Sequence, residues 1–311
     1  MSYSLQEINA RIHADPKEYL EECDANYNGS IALAADRILA RMADSPIVLL
    51  SGPSGSGKTT TALKLEEVLK QRGVNTHTVS MDNYFLSSDP KTSPRTPDGA
   101  FDLESPLCLD MALLDESFTR LARGEEILIP HFEFARQMRN DALGVPLHLQ
   151  KNELAIFEGI HALNDSIAGR HPEATKLYIS ARSNVMEGED LRFKGTWMRL
   201  TRRAVRDYNF RGTDIATTLD RWANVRRGEK LYISPFKNKA NIILDSSLPY
   251  EVSVMKHYAT PILKAVPEEN QRHGELLDLI QAFSYFESID PALVAKNSLL
   301  REFIGGGSYH Y

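Results

Sequence analysis

Cysteine is scarce in this sequence, and its two thiols are Cys23 and Cys108. Two cysteines in 311 residues cannot form a disulfide scaffold or a four-ligand zinc site, so the cysteine usage predicts a reducing, cytoplasmic location. No apolar run approaches the roughly 18 residues that a membrane helix needs, and no basic stretch typical of a signal peptide opens the chain. We therefore expect neither a membrane partner nor secretion.

Positive charge is also in the minority. The sequence has 36 Lys and Arg residues against 42 Asp and Glu, a net charge of −6, which argues against a protein whose whole surface binds nucleic acid. Apolar residues make up 42% and charged residues 25%, as in ordinary globular proteins, which excludes collagen-like, coiled-coil and wholly disordered chains. The length suits about two domains, or one α/β core with additions.

The spacing of apolar residues predicts the first helices and strands. Apolar residues recur three and four positions apart over residues 5–43, which predicts two helices with a break at 26–30. A branched apolar run at 46–50 predicts a strand that is buried on both faces of a parallel sheet. A glycine-rich turn follows it, and then a predicted helix over 58–71 and a predicted strand over 76–81.

The rest of the chain continues this alternation. Residues 87–100 are rich in Pro, Ser, Asp and Gly, which predicts a long loop of the kind that often carries function. The sequence predicts helix from about residue 248 to 303. We expect the backbone at the glycines 305–307 to fray. Further strands are predicted at residues 126–129, 154–157, 177–180 and 241–244. Together these elements predict an α/β fold with helices flanking a mainly parallel sheet.

A phosphate-binding loop lies between the first predicted strand and its helix. Residues 52–59 read Gly-Pro-Ser-Gly-Ser-Gly-Lys-Thr and match the pattern G-x-x-x-x-G-K-[ST]. The glycines let backbone N–H groups wrap a phosphate, Lys58 would reach the β- and γ-phosphates, and Thr59 would ligate Mg²⁺ through its hydroxyl. The cofactors predicted are ATP and Mg²⁺, and the predicted nucleotide-binding residues are Gly52, Ser54, Gly55, Ser56, Gly57, Lys58, Thr59 and Thr60.

Two acidic residues follow predicted strands at the edge where ligands bind in such sheets. Asp82 follows the strand that ends near residue 81, and Glu158 follows the run at 154–157. Either carboxylate could accept a proton from a substrate hydroxyl or hold Mg²⁺. The alternative is that they cap the following turns. Signalling GTPases are disfavoured, because the segment closest to a guanine reader, Asn-Lys-Ala-Asn at 238–241, lacks the carboxylate.

Several segments resemble, in order and spacing, the uridine kinase and phosphoribulokinase family over about residues 46–246. They are residues 52–59, Ser-Met-Asp-Asn-Tyr-Phe at 80–85, Phe-Asp at 101–102, Ile-Pro-His-Phe-Glu-Phe at 129–134, Phe-Glu-Gly-Ile at 157–160 and the arginine-rich run 202–212. The resemblance implies a phosphate-loop kinase that transfers phosphate from MgATP to a primary hydroxyl. By the same resemblance, Asp82 corresponds to the catalytic base, Asp102 to the carboxylate that grips ribose hydroxyls, and Arg206 and Arg211 to catalytic arginines.

The departures from this family concern the acceptor. Uridine kinases carry Tyr-Asp-Phe-x-x-His-Ser-Arg, whereas this chain has Phe132 and Gln137 in place of the Tyr and His. Uridine specificity therefore does not carry over, and a nucleoside-like acceptor is expected, with a sugar or sugar phosphate as the alternative. The chain is similar to a bacterial nucleoside kinase-like branch of the family, and the ending Leu-Arg-Glu-Phe-Ile-Gly-Gly at 300–306 is part of this similarity. The predicted acceptor-binding residues are Tyr84, Phe85, Asp102, Phe132, Gln137 and Arg203.

Basic residues are concentrated in one segment, where this family places its lid. Residues 182–239 hold 14 Lys or Arg against 7 Asp or Glu. Arg199, Arg202, Arg203 and Arg206 share most of one helical face, which could close over the triphosphate from a lid at about 185–235. A solvated helix is the alternative for most of these charges. A non-catalytic nucleotide-dependent regulator or RNA binder, suggested by the nearby Trp197, Trp222 and Tyr208, is a further alternative that the sequence disfavours.

The domain prediction has three parts: a helical extension at 1–45, the kinase core at 46–246 and a second helical extension at 247–311. The extensions are too apolar to be tails, so they either cover the core or form a homo-oligomer. His161 follows the Glu158 turn and could line the site or be a structural histidine.

Overall fold

The computed structural model describes residues 2–270 and 272–310. The α-helices are α1 (Leu5–Ala14), α2 (Pro16–Arg41), α3 (Lys58–Gln71), α4 (Met111–Ala122), α5 (Asp165–Ala168), α6 (Gly195–Phe210), α7 (Ile215–Gly228), α8 (Glu251–Lys264), α9 (His273–Ser284) and α10 (Arg301–Ile304). The strands are β1 (Ser2–Ser4), β2 (Ile47–Ser51), β3 (Asn75–Ser80), β4 (Ile127–Ile129), β5 (Phe132–Glu133), β6 (Met138–Arg139), β7 (Val145–Leu147), β8 (Glu153–Glu158), β9 (Thr175–Ser180), β10 (Asn184–Glu187), β11 (Asp190–Phe193) and β12 (Ile242–Asp245).

A parallel sheet with the strand order β12-β9-β2-β8-β3 forms the centre of the molecule. Strand β2 is buried along its whole length, because its apolar residues face helices on both sides of the sheet. The predicted parallel sheet flanked by helices is confirmed. The strand predicted at 126–129 lies outside it, because β4 pairs antiparallel with β7 in a separate two-stranded sheet.

Apolar clusters cover both faces of the central sheet. On one face, Leu49 of β2 packs in a cluster with Phe118 of α4 and Ile167 of α5. On the other, Leu50 shares a larger cluster with Ile31 of α2 and with residues of α3, α6, α8 and α9. The helices at both ends of the chain therefore cover the core of the sheet. Within residues 2–270 and 272–310, the helices include none that is both long and apolar enough to span a membrane.

The break predicted at residues 26–30 is wrong. Helix α2 runs through Gly29, which is free of close contacts, while the neighbouring Tyr27 and Ile31 are buried. The break comes earlier, at Asp15, whose side chain accepts a hydrogen bond from the backbone N–H of Glu18 and so caps α2. A proline follows directly at the first helical position, where its missing N–H costs nothing.

The prediction that residues 305–307 fray is also wrong. The guanidinium of Arg301 donates to the backbone carbonyls of Pro291 and Gly305 at 3.2 Å each, and the backbone N–H of Ser308 donates to the carbonyl of Lys296 at 2.8 Å. Gly305 has φ +81°, and a Cβ there would lie 2.7 Å from the ring of Phe210. Glycine is needed for this close approach, so the tail packs against the end of α6.

A buried ion pair joins α6, α8 and the phosphate loop. Arg202 is fully buried, and its guanidinium donates to the carboxylate of Glu251 at 2.8 and 2.5 Å. The same guanidinium donates to the backbone carbonyls of Gly55 at 3.3 Å and Ser246 at 2.7 Å. Four acceptor contacts satisfy a charge that would otherwise be costly to bury.

Removal of the Glu251 carboxylate should therefore destabilise the whole fold. Glu251→Ala leaves the Arg202 charge buried without its counter-ion, which costs about 3–5 kcal/mol of unfolding free energy in comparable pairs. Urea denaturation measures this change, with Glu21→Ala, which breaks the exposed Lys17–Glu21 pair, as the matched control. Equal midpoints for Glu251→Ala and Glu21→Ala would contradict the role of the buried pair.

Candidate active site

Three parallel strands bring the predicted site residues to one edge of the sheet. Glu158, the last residue of β8, is paired in register with Leu50 of β2 and with Ser80 of β3. The phosphate loop follows β2, and Asp82 follows β3 by two residues. These ends surround a cavity of about 210 Å³, here called the phosphate cavity. Its lining includes Ser54, Gly55, Ser56, Gly57, Lys58, Thr59, Asp82, Phe85, Glu104, Glu158, Arg203, Arg206, Arg211 and Glu302.

The phosphate loop takes a conformation that its glycines permit. Gly55 and Gly57 have φ +75° and +80°, which β-carbon-bearing residues rarely adopt. Gly52 passes so close to strand β9 that a Cβ would lie 2.2 Å from the carbonyl oxygen of Ile179. Helix α3 begins directly after the loop at Lys58, so its N-terminal backbone N–H groups face the phosphate cavity.

Helix α6 holds the phosphate loop from behind through its arginines. Arg199 donates to the backbone carbonyl of Ser54 at 3.3 Å and pairs with Glu229 at 2.7 Å. Arg203 donates to the hydroxyl of Ser54 at 3.0 Å. The prediction that Arg199 and Arg202 close over the triphosphate does not fit, because both are buried in ion pairs beneath the loop.

The arginines that face the phosphate cavity gather around Asp207. This buried carboxylate lies 3.3 Å from Arg203, 2.8 Å from Arg206 and 3.7 Å from Arg211. One negative charge is shared by three positive ones, so the group keeps a positive excess beside the cavity. The sequence analysis offered a solvated helix as the alternative for most of these charges, and it did not identify Asp207 as part of the site.

Burial disfavours the ionised forms of the Asp82 and Glu158 carboxyl groups. Burial raises the pKa of Asp82, while Lys58, Arg211 and Arg206 act to lower it. Burial raises the pKa of Glu158 to about 7, with Lys58 opposing the shift and Asp82 adding to it. A cation between these groups would relieve their repulsion, and carboxylate and Thr59 hydroxyl oxygens are donors that suit Mg²⁺. Within the described residues no set of three or more His, Cys, Asp or Glu forms a protein-held metal site.

Glu104, and not the predicted Asp102, is the carboxylate of this segment that lines the phosphate cavity. Asp102 is buried, with its carboxylate 2.7 Å from the guanidinium of Arg227 and 3.2 Å from the hydroxyl of Tyr232. It is absent from the described lining of the phosphate cavity. Glu104 lines the cavity instead, and burial raises its pKa while Arg203 acts to lower it. Sequence reasoning missed Glu104, although it lies two residues after the matching motif.

Aromatic side chains line a second cavity of about 320 Å³, here called the aromatic cavity. It meets the phosphate cavity at Phe85, Leu103, Glu104 and Arg203, which line both. The rings of Phe85 and Phe132 lie 5.6 Å apart, and those of Phe132 and Phe134 lie 5.2 Å apart. Gln137 lines the same cavity. Four predicted acceptor residues, Phe85, Phe132, Gln137 and Arg203, are thus brought together.

Tyr84 is not brought to either cavity. It is fully buried, its ring packs against Phe157, and its hydroxyl donates to Ser117 at 3.2 Å. The turn of 3₁₀ helix at Met81–Tyr84 points Tyr84 into the core, and Phe85, the next residue, lines both cavities. The assignment of Tyr84 to acceptor binding is therefore wrong for the described structure.

A third cavity, of about 440 Å³, borders the phosphate cavity at a different set of residues from the aromatic cavity. Thr59, Arg206, Arg211 and Glu302 line both. Its far wall is the C-terminal tail at residues 305–310, so it is called the tail cavity here. Sequence reasoning missed Glu302, whose carboxylate accepts from the backbone N–H of Thr60 at 3.2 Å and from its hydroxyl at 2.5 Å.

His161 and the two tryptophans have structural surroundings. His161 is buried, burial lowers its pKa to about 4, and its ring packs edge-on against Tyr232. Trp222 is buried under the guanidinium of Arg199, and Trp197 packs against Phe193. The tryptophans therefore do not form the exposed stacking surface that single-stranded RNA binding needs.

Comparison with known proteins agrees with this geometry. The model of the phosphoribulokinase/uridine kinase family matches residues 47–253. A uridine kinase from Geobacillus sp. (strain WCH70) is 26% identical over 205 residues, which are 65% of this chain and 87% of that protein. A uridine kinase from Staphylococcus aureus (strain Newman) is 25% identical over 215 residues, which are 68% of this chain and 93% of that protein. The protein is similar to each over about two thirds of its own length.

A solved structure shares the fold. A chain from Silicibacter sp. TM1040, described as a candidate fructose transport system kinase, superposes with a TM-score of 0.52 at 19% identity. The match covers 69% of this chain and 98% of that one. Together with the family match, this confirms the predicted fold class, a phosphate-loop kinase sheet flanked by helices.

The raised pKa of Glu158 should make stability fall with pH. Without nucleotide and metal, the folded protein holds a proton on this carboxyl up to about pH 7, whereas the unfolded chain releases it near pH 4.5. The stabilising contribution is thus complete below about pH 4.5 and is lost as the pH rises through about 7. Thermal melting in EDTA should show the wild-type Tm falling, relative to Glu158→Gln, between about pH 5 and pH 8. A Tm difference that is constant with pH would contradict this assignment.

Proposed function

Because the chain belongs to the phosphoribulokinase/uridine kinase family, we propose that this small-molecule kinase transfers the γ-phosphoryl group of MgATP to a hydroxyl of a nucleoside-like acceptor. The observation that carries the proposal is the position of the phosphate cavity between two larger cavities. Phosphoryl transfer needs the donor and the acceptor oxygens roughly in line on either side of the phosphorus. Two cavities that open from one phosphate cavity supply this arrangement.

The phosphate loop binds and orients the triphosphate. Backbone N–H groups of residues 52–59 and the N-terminus of α3 hold its oxygens, and the Lys58 ammonium adds a positive charge. Arg206 and Arg211, which also border the phosphate cavity, stabilise the negative charge on the transferring group. Mg²⁺ that arrives with ATP neutralises phosphate charge, and Thr59, Asp82 and Glu158 are the side chains that would hold it, directly or through water.

Asp82 accepts the proton of the acceptor hydroxyl. As that hydroxyl oxygen forms its bond to the γ-phosphorus, the bond from this phosphorus to the β,γ-bridging oxygen breaks and ADP leaves. Burial raises the pKa of Asp82 and so makes this carboxylate a better proton acceptor than an exposed one, while Lys58, Arg211 and Arg206 act to lower that pKa. Glu104, at the junction of the phosphate and aromatic cavities, is placed to accept hydrogen bonds from further hydroxyls of the acceptor.

The aromatic cavity favours a planar, uncharged group on the acceptor. Phe101, Leu103, Leu107 and Phe134 line it with much of their apolar surface exposed, as is typical of a ligand-binding cleft. Rings 5 to 6 Å apart offer faces and edges against which a heterocyclic base can stack. Ser87, Ser88 and Gln137 supply hydrogen-bonding groups at the same cavity.

A sugar phosphate is the second candidate, because a sugar offers the same hydroxyls. It would need cations for its own phosphate, and among the described residues of the aromatic cavity the cationic side chain is Arg203. That guanidinium is already engaged by Ser54 and Asp207. The lining therefore favours a nucleoside-like acceptor over a sugar phosphate.

A panel of acceptors tests the proposal. ADP formation should be measured with MgATP and purine nucleosides, pyrimidine nucleosides, sugars and sugar phosphates, and we expect a nucleoside to give the highest kcat/KM. Uridine should be a poor acceptor, because the cavity has Phe132 and Gln137 where uridine kinases have Tyr and His. A sugar phosphate as the best acceptor would contradict the assignment of the aromatic cavity.

The same assay with Asp82→Asn tests the chemistry. Asparagine keeps the shape and the capping ability of aspartate but cannot accept the proton, so kcat should fall by about a hundredfold to ten-thousandfold, with little change in ATP affinity. Asp110→Asn is a matched control, since that carboxylate caps α4 outside the described lining of the phosphate cavity. Unchanged kcat in Asp82→Asn would exclude Asp82 as the base.

A further inference from the structure

The C-terminal tail forms a wall of the tail cavity and is held in place from several sides. Arg301 donates to the carbonyl of Gly305, and the Ser308 N–H donates to the carbonyl of Lys296. The Tyr309 hydroxyl donates to Glu67 of α3 at 2.7 Å. This wall is therefore fixed to the helix that follows the phosphate loop. Residues 301–310 lie beyond the segment 47–253 that matches the family.

The tail cavity is continuous with the phosphate cavity at the start of α3. Thr59, Arg206, Arg211 and Glu302 border both cavities. In a phosphate loop the lysine reaches the β- and γ-phosphates, and the α- and β-phosphates lie on the backbone of the loop and of the helix start. The ribose and base of ATP are attached to the α-phosphate, so they must extend out of the phosphate cavity at the end where that phosphate lies. Thr60, at that end, gives its N–H and hydroxyl to Glu302, which borders the tail cavity.

The other exit is suited to the acceptor. The aromatic cavity meets the phosphate cavity at Phe85 and Glu104, on the side where the loop following Asp82 runs. Because the proton acceptor must lie near the acceptor hydroxyl, the donor nucleoside belongs on the opposite side.

We propose that the tail cavity binds the base and ribose of the nucleotide, with Phe210 as the stacking surface and residues 305–307 as an adjoining wall. This inference rests on the proposed function. Phe210 ends α6, is 55% exposed and lines the cavity. The tip of this ring packs against Gly305, where an added Cβ would lie 2.7 Å from Cζ, so the tail holds the ring in position. Arg206 and Arg211 border the same space, where guanidinium groups can also contact a base face. A segment outside the family-matching region thus completes the ATP site.

The test separates the two halves of the nucleotide by comparing ATP with tripolyphosphate, which has the phosphates without the nucleoside. Isothermal titration with Mg²⁺ present should give a Kd for ATP that rises roughly fivefold to a hundredfold in Phe210→Ala, the range that loss of one stacked base produces. The Kd for tripolyphosphate should stay unchanged, which also shows that the variant folds. Phe210→Trp, which keeps an aromatic face, should retain ATP binding near the wild-type value.

Two matched controls sharpen the result. Phe134 is also 55% exposed but lines the aromatic cavity, so Phe134→Ala should leave the Kd for ATP unchanged. Tyr208 is 53% exposed on the same helix as Phe210 and outside the described lining of the tail cavity, so Tyr208→Ala should also be silent.

Each remaining outcome would contradict either the tail-cavity inference alone or the inference together with the proposed function. If Lys58→Ala loses ATP and tripolyphosphate while Phe210→Ala binds ATP like the wild type, the tail cavity is not the nucleoside site and the kinase proposal stands. The inference is also overturned if Phe210→Ala weakens both ligands equally, or if Phe134→Ala is the variant that weakens ATP. If the wild type binds neither ligand, the proposed function and the inference fail together.

Discussion

Arginines of α6 support the phosphate loop by donating hydrogen bonds to its backbone carbonyls. A loop with left-handed glycines and inward-pointing N–H groups leaves its carbonyls turned outward, and buried carbonyls need donors. Arg199 and Arg202 supply these donors, to Ser54 and Gly55, from within ion pairs that are themselves buried. The basic segment is therefore part of the structure of the site before any nucleotide binds. Its charge excess is divided between arginines that build the loop and arginines that face the phosphates.

Buried carboxylates and cations face one another in the phosphate cavity. Three carboxylates, Asp82, Glu104 and Glu158, have raised pKa values through burial, and Lys58 opposes the shift at each of them. On the proposed function, MgATP would balance these charges, because it would bring Mg²⁺ for the carboxylates and anionic oxygens for the cations.

Short-range patterns made part of this structure predictable. Strand β2, helix α3 and strand β3 lie within a residue or so of their predicted bounds, because an apolar run, a glycine motif and helical spacing all act locally. Asp82 and Glu158 were predictable because parallel strands end at one edge. Glu302 was not predictable from local pattern, because its contact with Thr60 joins residues 242 positions apart. Tyr84 was misassigned because a single turn of 3₁₀ helix decides which of two adjacent aromatic rings faces the cavity.

In the arrangement proposed, the phosphate cavity is a junction, with the donor nucleoside on the tail side and the acceptor on the aromatic side. A crystal structure with Mg²⁺, a non-hydrolysable ATP analogue and the best nucleoside acceptor would test this arrangement. We expect the adenine against Phe210, the γ-phosphate between Lys58 and Asp82, and the acceptor base against Phe85 and Phe132. An adenine bound between Phe85 and Phe132, or an acceptor hydroxyl remote from Asp82, would contradict it.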